Sequence, residues 1–377
     1  KAHAASLTVV GQTSAPAVNV TTAQTFDLVL INNSTVTGNV TNSGSIGISE
    51  IGLEIDESEI QGGVINNAGA TISAHNLGIA VSNAQIDDGI LNAGTITVNA
   101  PSALETSDVI AGIAVGGEAA VSTSVTNSGN INVFASGTGV QGNMHDSFIA
   151  VAGIAIPGQS GVAADITNSG EINVTASRSG GATVSVQATG IAVFDYELSG
   201  NDGDVSITIS GELNVMANAN GVQANAYALG IEVMVASSQT ELNLELANSS
   251  DGVISVAAKA TGDTVAGAFA LGIGQLGAGA HNVSIDLVNN GSIGINATAH
   301  AGSSAAGLAN ARAGISGGVF QSALMAGSDG EAAIISLTNT SDLSLDVLAN
   351  ATASATGKAS ATASITSAVV QLASGDV

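Results

Sequence analysis

Apolar and polar residues alternate with a period of two along most of this chain. From Ala349 to Ala363 the residues Ala351, Ala353, Ala355, Ala359, Ala361 and Ala363 alternate with Thr, Ser, Asn or Lys. Successive side chains of a strand point to opposite faces, so the pattern predicts strands with one buried face. Alanine is the best helix former. At 3.6 residues per turn, however, these apolar positions would scatter around a helix, and the interleaved Thr and Gly oppose it. The chain is expected to be all-β.

The strands are punctuated by a repeat. An Asn-x-Gly corner followed by alternating apolar residues reads TNSGSIGI from Thr41, NNAGATIS from Asn66, LNAGTITV from Leu91, TNSGNINV from Thr126 and TNSGEINV from Thr167. More divergent copies start at Ile209, Ser249, Val288 and Thr338. The corner glycines at 44, 69, 94, 129, 170, 211, 252 and 291 give steps of 25, 25, 35, 41, 41, 41 and 39 residues. A Gly-Ile element interleaves with them: LGIAV at 77–81, AGIAV at 111–115, AGIAI at 152–156, TGIAV at 189–193, LGIEV at 229–233 and LGIGQ at 271–275. Each repeat thus has two arms. Such a period predicts a wound solenoid in which each strand bonds its equivalents above and below and identical corners stack as Asn and Gly ladders. The Asn-x-Gly corners suit residues that tolerate positive φ.

We therefore expect a parallel right-handed β-helix of about nine coils, roughly 40–45 Å tall at ~4.8 Å per coil. The first arm lengthens from Gly44–Gly52 to Gly129–Gly153, so the body should widen toward the C-terminus. Residues 1–40 lack the clean repeat, contain Pro16 and Phe26, and are expected to form an N-terminal segment and cap, with one solenoid domain over 41–377. Repeat-like sequence runs almost to Val377, as in a piece of a longer protein or an edge used for assembly.

Composition narrows the chemistry. There are 48 Gly, no Trp, two Tyr and six Phe, so Ala, Val, Ile and Leu must fill a thin interior. There are 30 acids against five Lys and Arg, a net charge of −25. That balance opposes nucleic-acid binding, which needs cations to displace counterions from phosphates. With no Cys, disulfides and thiolate metal sites are excluded. Thr264–Ala280, an uncharged Gly- and Ala-rich run that holds Gln275, falls in register with the repeats and is shorter than the ~20 residues of a membrane span. The KAHAA start, Lys1–Ala5, fits the tail of a removed signal peptide.

The tandem TNSG-x-I-x-V and x-G-I-A-V elements resemble the passenger regions of bacterial autotransporters and related β-strand-repeat surface proteins, over roughly 41–377. The resemblance implies export across two membranes, a right-handed β-helix, and roles in adhesion, aggregation or surface coating. The sequence departs from that pattern in lacking a membrane-barrel segment and in its wide 41-residue coil.

Candidate chemistry is sparse. The second arms carry most of the acids and no Lys or Arg, including Glu54, Asp56, Glu57, Glu59, Asp87, Asp88, Asp195, Glu197, Asp202, Asp204, Glu241 and Glu245. The first arms hold Arg178, Lys259, Arg312 and Lys358, so one side should be acidic and the other nearly neutral. Gly200-Asn-Asp-Gly-Asp204 resembles part of a calcium-binding turn, which makes Asp202 and Asp204 candidate calcium ligands, although tandem copies are absent and a solvated acidic loop is the favoured reading. Glu54, Asp56, Glu57 and Glu59 could pair carboxylates for polysaccharide cleavage, but their spacing mixes strand faces and few aromatics are present to stack sugars. His3, His75, His145, His281 and His300 show no metal-ligand spacing. Asn-x-Ser/Thr tripeptides such as Asn173–Thr175 arise from Asn corners beside Thr-rich strands.

The sequence thus reads as a non-enzymatic extracellular structural or adhesive solenoid, secreted or on a bacterial surface, serving adhesion, a biofilm matrix or a self-assembling filament. Its expected partners are copies of itself, end to end or side by side, cell-surface glycans or abiotic surfaces; no cofactor beyond calcium is suggested. A polysaccharide-active β-helix is the alternative. An ice-binding face would need a regular outward Thr ladder.

Overall fold

Residues one repeat apart pair with each other throughout the computed structural model, in parallel and almost without register shift. It describes residues 5–377 except 101–108, 118–120, 139–150, 159–161, 181, 196–203, 237–240, 280–281, 304–307, 325–332, 341–344, 357 and 375–377. The pairings build a β-solenoid with three sheets: a long 18-stranded sheet, a closing sheet of ten strands, and a short sheet of three. The closing sheet shows the stacking plainly. Val18, Val40, Val64, Ile90, Val125, Ile166, Ile207, Leu246, Leu287 and Leu337 form one inward column, each paired to the next. Aliphatic side chains recur there because every rung must fill the same volume of core.

The segment before residue 41 is built from the same parts. Leu7–Val10 pairs with Val29–Asn32, and Val18–Val20 with Val40–Asn42. The expected cap therefore consists of solenoid strands, which lifts the stack to ten closing strands from the nine repeats legible as motifs. The strands are there without the motif because alternation, as in the VNV and VLIN segments, suffices once a rung above supplies hydrogen-bond partners.

The widening is real and has a simple origin. The narrow rungs are three-sided, closed by the short sheet at Thr35–Val36, Glu59–Ile60 and Gln85–Ile86. Wider rungs lengthen the long-sheet strands instead, from Ser45–Asp56 to Glu212–Ala236 and Val253–Ala278. In Glu212–Ala236 the chain bends near Gly221. Inward Ala217 and Ala219 before the bend and Ala224, Ala226 and Ala228 after it are fully buried in one core. Alanine suits this lobe because small side chains fill a thin core.

Two polar ladders run inside this apolar core. Asn42, Asn66, Asn92, Asn127 and Asn168 are buried, each Nδ2 donating to the next Oδ1 at 2.7–2.8 Å. The ladder resumes at Asn248, Asn289 and Asn339, with contacts of 2.8 and 2.6 Å. The second appears where the inward column of Val193 and Val233 gives way to Gln275, Gln321 and Gln371. Gln321 Nε2 donates to Gln275 Oε1 at 3.0 Å, and Gln371 Nε2 to Gln321 Oε1 at 2.9 Å. An amide is tolerated in these columns because its equivalents satisfy it, each bond contributing about 1 kcal/mol.

The glycines of the Asn-x-Gly corners serve a purpose other than the one their sequence suggests. Among them Gly69 has positive φ, at 80°, whereas Gly44, Gly94, Gly129, Gly170, Gly211, Gly252 and Gly291 do not. These lie so close to the rung below that an added Cβ would fall 2.0–2.5 Å from a backbone carbonyl oxygen. Rung stacking, not backbone handedness, selects glycine there.

Candidate functional site

The Gly-Ile corners form a seam that runs along the stack. Gly52, Gly78, Gly112, Gly153, Gly190, Gly230, Gly272 and Gly318 stack so tightly that an added Cβ would lie 2.3–2.8 Å from the carbonyl of the next rung. At Gly112 it would also come within 2.2 Å of Ile131 Cγ2, a core side chain of the opposite arm, so the chain folds inward at this corner. The outward side chains on its two walls then face each other. Ala111, Ala152 and Ala155 point away from the main core, yet they are fully buried in a separate cluster with Leu77 and Ala114. The result is a re-entrant elbow.

In the wider rungs the elbow is lined by different residues. Register places Thr189, Leu229 and Leu271 in one outward column and Ala192, Glu232 and Gly274 in the column across the corner. Tyr227 and Phe269 form the next column on the first wall, their rings stacked with centroids 5.3 Å apart and planes 16° apart. Phe194, Met234 and Leu276 continue the second wall. Thr189 is 1% exposed and its hydroxyl has no partner among the described residues. Burial against these apolar neighbours raises the Glu232 carboxyl from its usual range to about 7.

That shift has a stability consequence. The folded state holds the Glu232 proton up to about pH 7, whereas the unfolded chain releases it near 4.5. Stability relative to a Glu232→Gln variant is therefore highest below pH 4.5 and declines as pH rises toward 7, by about 3 kcal/mol in all. Parallel denaturation curves of the two proteins between those pH values test this; a difference that does not change with pH overturns it.

The acids singled out from the sequence are dispersed. Glu54 and Asp56 share the outer face of one strand, with Ile55 buried between them. Burial and, secondarily, the Asp56 charge raise the Glu54 carboxyl. Asp56 Oδ2 accepts from Asn32 Nδ2 at 2.9 Å. Glu57 occupies a turn with φ of 46°, and exposed Glu59 accepts from Gln61. Asp204 Oδ1 accepts from Asn243 N and Nδ2 at 2.9 and 3.1 Å. It borders an open cleft of about 1020 Å³ together with Asp87, Asp165 and Glu245. Asp202 lies outside the described residues, as do Glu197, His3, His145 and His281. Among the described residues no three His, Asp or Glu side chains converge as a metal site would require.

Charge does not divide by sheet. Strands of the closing sheet carry Asp165, Glu241, Glu245 and Asp286 and no Lys or Arg, while the long sheet carries Arg178, Lys259, Arg312 and Lys358 together with Glu50, Glu54, Asp56, Glu171, Asp195, Glu212, Glu232, Asp263 and Asp346. The outward Thr column is short: Thr126, Thr167 and Thr208 stack, and Ala247 and Val288 follow. Of the run 264–280, residues 264–278 lie within the strand Val253–Ala278 and Ala280 lies outside the described residues; no helix among the described residues is long and apolar enough to cross a membrane.

Glu232 and its aromatic neighbours escaped the reading by motif. The signal was nevertheless present, since A-Y-A-L-G-I-E from Ala226 and A-F-A-L-G-I-G from Ala268 carry an aromatic at the same offset before Gly-Ile. The chain matches no family model, no curated protein and no solved structure.

Proposed function

We propose that this chain is a non-enzymatic structural or adhesive solenoid that works outside the cell, by presenting like side chains in short columns on successive rungs. The observation that carries this reading is the columnar register of the outer faces. Asn132, Asn173 and Asn214 stack outward, with Nδ2 to Oδ1 contacts of 3.0 and 3.1 Å, alongside the Thr126, Thr167 and Thr208 column. Groups repeated at about 4.8 Å suit multivalent contact with a repetitive partner, whether a glycan, a surface or another copy, where many weak contacts add. Adhesive presentation at a bacterial surface and self-association side by side or end to end belong to the same reading.

Attachment of the purified chain to cells, glycan arrays and abiotic surfaces, with electron microscopy of the same samples, tests it. Saturable attachment or ordered assembly is expected; neither, at any concentration, overturns it. Glu54 supports the rival reading of polysaccharide cleavage, because burial and the neighbouring Asp56 charge raise its carboxyl, as a general acid requires. Turnover of glycans that disappears in Glu54→Gln would establish that alternative.

A further inference from the structure

Two of the chain's five Lys and Arg residues meet at one cleft. Arg178 and Lys259, two rungs apart, border an open hollow of about 420 Å³ on the first arm of the wide rungs. Ser177, Asn218 and Lys259 form one outward column along it, and Ser179, Asn220 and Thr261 form the next. The described residues that line it include no Asp or Glu, in a chain that has 30.

Arg178 departs from the pattern of its own column. Its register equivalents in the rungs above, Ala219, Ala260 and Ala299, are buried, and the residue below it is Gly137. Alanine would serve packing at 178 as it does in those rungs. The chain instead carries a half-buried guanidinium there. Neither it nor the exposed Lys259 ammonium makes a hydrogen bond or ion pair among the described residues. The two cations therefore hold no part of the described fold together, and both face the same hollow.

We propose that this cleft binds an acidic sugar, a saccharide unit bearing a carboxylate. The inference rests on the adhesive reading and names the class of glycan engaged. A guanidinium presents a planar fork that matches a carboxylate with two parallel hydrogen bonds. The hydroxyls of Ser177, Ser179 and Thr261 and the amides of Asn218 and Asn220 both donate and accept, as the hydroxyls of a sugar ring require. Lys259, about 10 Å along the stack at ~4.8 Å per rung, supplies a point charge for a second acidic unit.

Size and charge argue against simpler occupants. A single inorganic anion on Arg178 would leave Lys259 and the intervening Asn218 and Asn220 unused. A long polyanion such as a nucleic acid would run out over the surrounding carboxylates, and a net charge of −25 repels it. At physiological salt, fields are screened beyond ~8 Å, so a short ligand responds mainly to the two cations it touches.

Titration calorimetry at about 0.15 M salt with trigalacturonate, neutral maltotriose and sodium sulfate tests the proposal. Saturable binding of trigalacturonate alone is expected, weakened about tenfold in Arg178→Gln and in Lys259→Gln. Arg312→Gln, which removes a base that does not line the cleft, should leave it unchanged. Because Lys259 is exposed, its replacement reports on the site even where Arg178→Gln fails to fold. No saturation, an equal loss in Arg312→Gln, or displacement of the trimer by an equal concentration of sulfate overturns the site. Attachment to cells or surfaces that persists in Lys259→Gln while trigalacturonate fails to bind would sink this cleft and leave the adhesive reading standing.

Discussion

Gly170→Ala should lower stability by about 3–5 kcal/mol, as much as losing a large core side chain, although it adds one methyl group. The new Cβ would meet Gly129 O at 2.0 Å and Ser128 C at 2.7 Å, all backbone, so no rotamer change can relieve it. The rung would have to lift from its neighbour, breaking the Glu212 N to Gly170 O and Glu171 N to Gly129 O bonds on either side, each now 2.9 Å. Two control glycines separate this mechanism from ordinary glycine effects. Gly69 has open space but a φ of 80°, so Gly69→Ala should cost about 1–2 kcal/mol through backbone strain alone. Gly294 has both open space and ordinary φ, so Gly294→Ala should stabilise by about 0.4–1 kcal/mol through the unfolded chain. Denaturant midpoints of the three variants give the order directly; similar losses at Gly69 and Gly170 would show that handedness, not stacking, selects the corner glycines.

That series also marks what the sequence does and does not disclose. Strand alternation and glycine spacing were legible because a solenoid writes each rung's constraints at a fixed chain interval: Ile131, Ile172 and Leu213 are core residues at one position of three successive repeats. The reason for the glycines was not legible, since close approach to Gly94 O or Gly129 O depends on a residue a whole repeat away. The rungs before residue 41 were missed because they carry alternation without the corner motif. The elbow was missed for a different reason. Its lining combines Thr189, Tyr227, Glu232 and Phe269 from three rungs, and each taken alone is an ordinary outward residue of a strand. The outward column of Glu54, Ala80, Ala114, Ala155, Ala192 and Glu232, by contrast, was legible, because each stands two residues after the glycine of a Gly-Ile corner or its equivalent at Gly52.

Replacing a buried isoleucine with asparagine should cost little or even stabilise at one place in this molecule, residue 209. Ile209 stands in register between Asn168 and Asn248, where every other rung from residue 42 to 339 has asparagine. Asn248 Oδ1 is consequently buried with no donor, and Asn168 Nδ2 turns to Glu212 O at 3.0 Å. Ile209→Asn supplies the missing donor and acceptor together. Two charge-neutral hydrogen bonds and relief of the orphaned oxygen, about 1–3 kcal/mol, then offset the lost apolar burial of a fully buried Ile, about 2–3 kcal/mol. The reverse change within the intact ladder isolates the cause. Asn127→Leu would strand Asn92 Nδ2 and Asn168 Oδ1, both now bonded at 2.7 Å, and should cost about 3–5 kcal/mol. Because stacked repeats open locally, hydrogen exchange of amides in the flanking rungs is the suitable measure. Slower or unchanged exchange around residue 209 and much faster exchange around residue 127 is expected. Comparable acceleration in both variants would mean that the amide column contributes no more than the apolar side chains beside it.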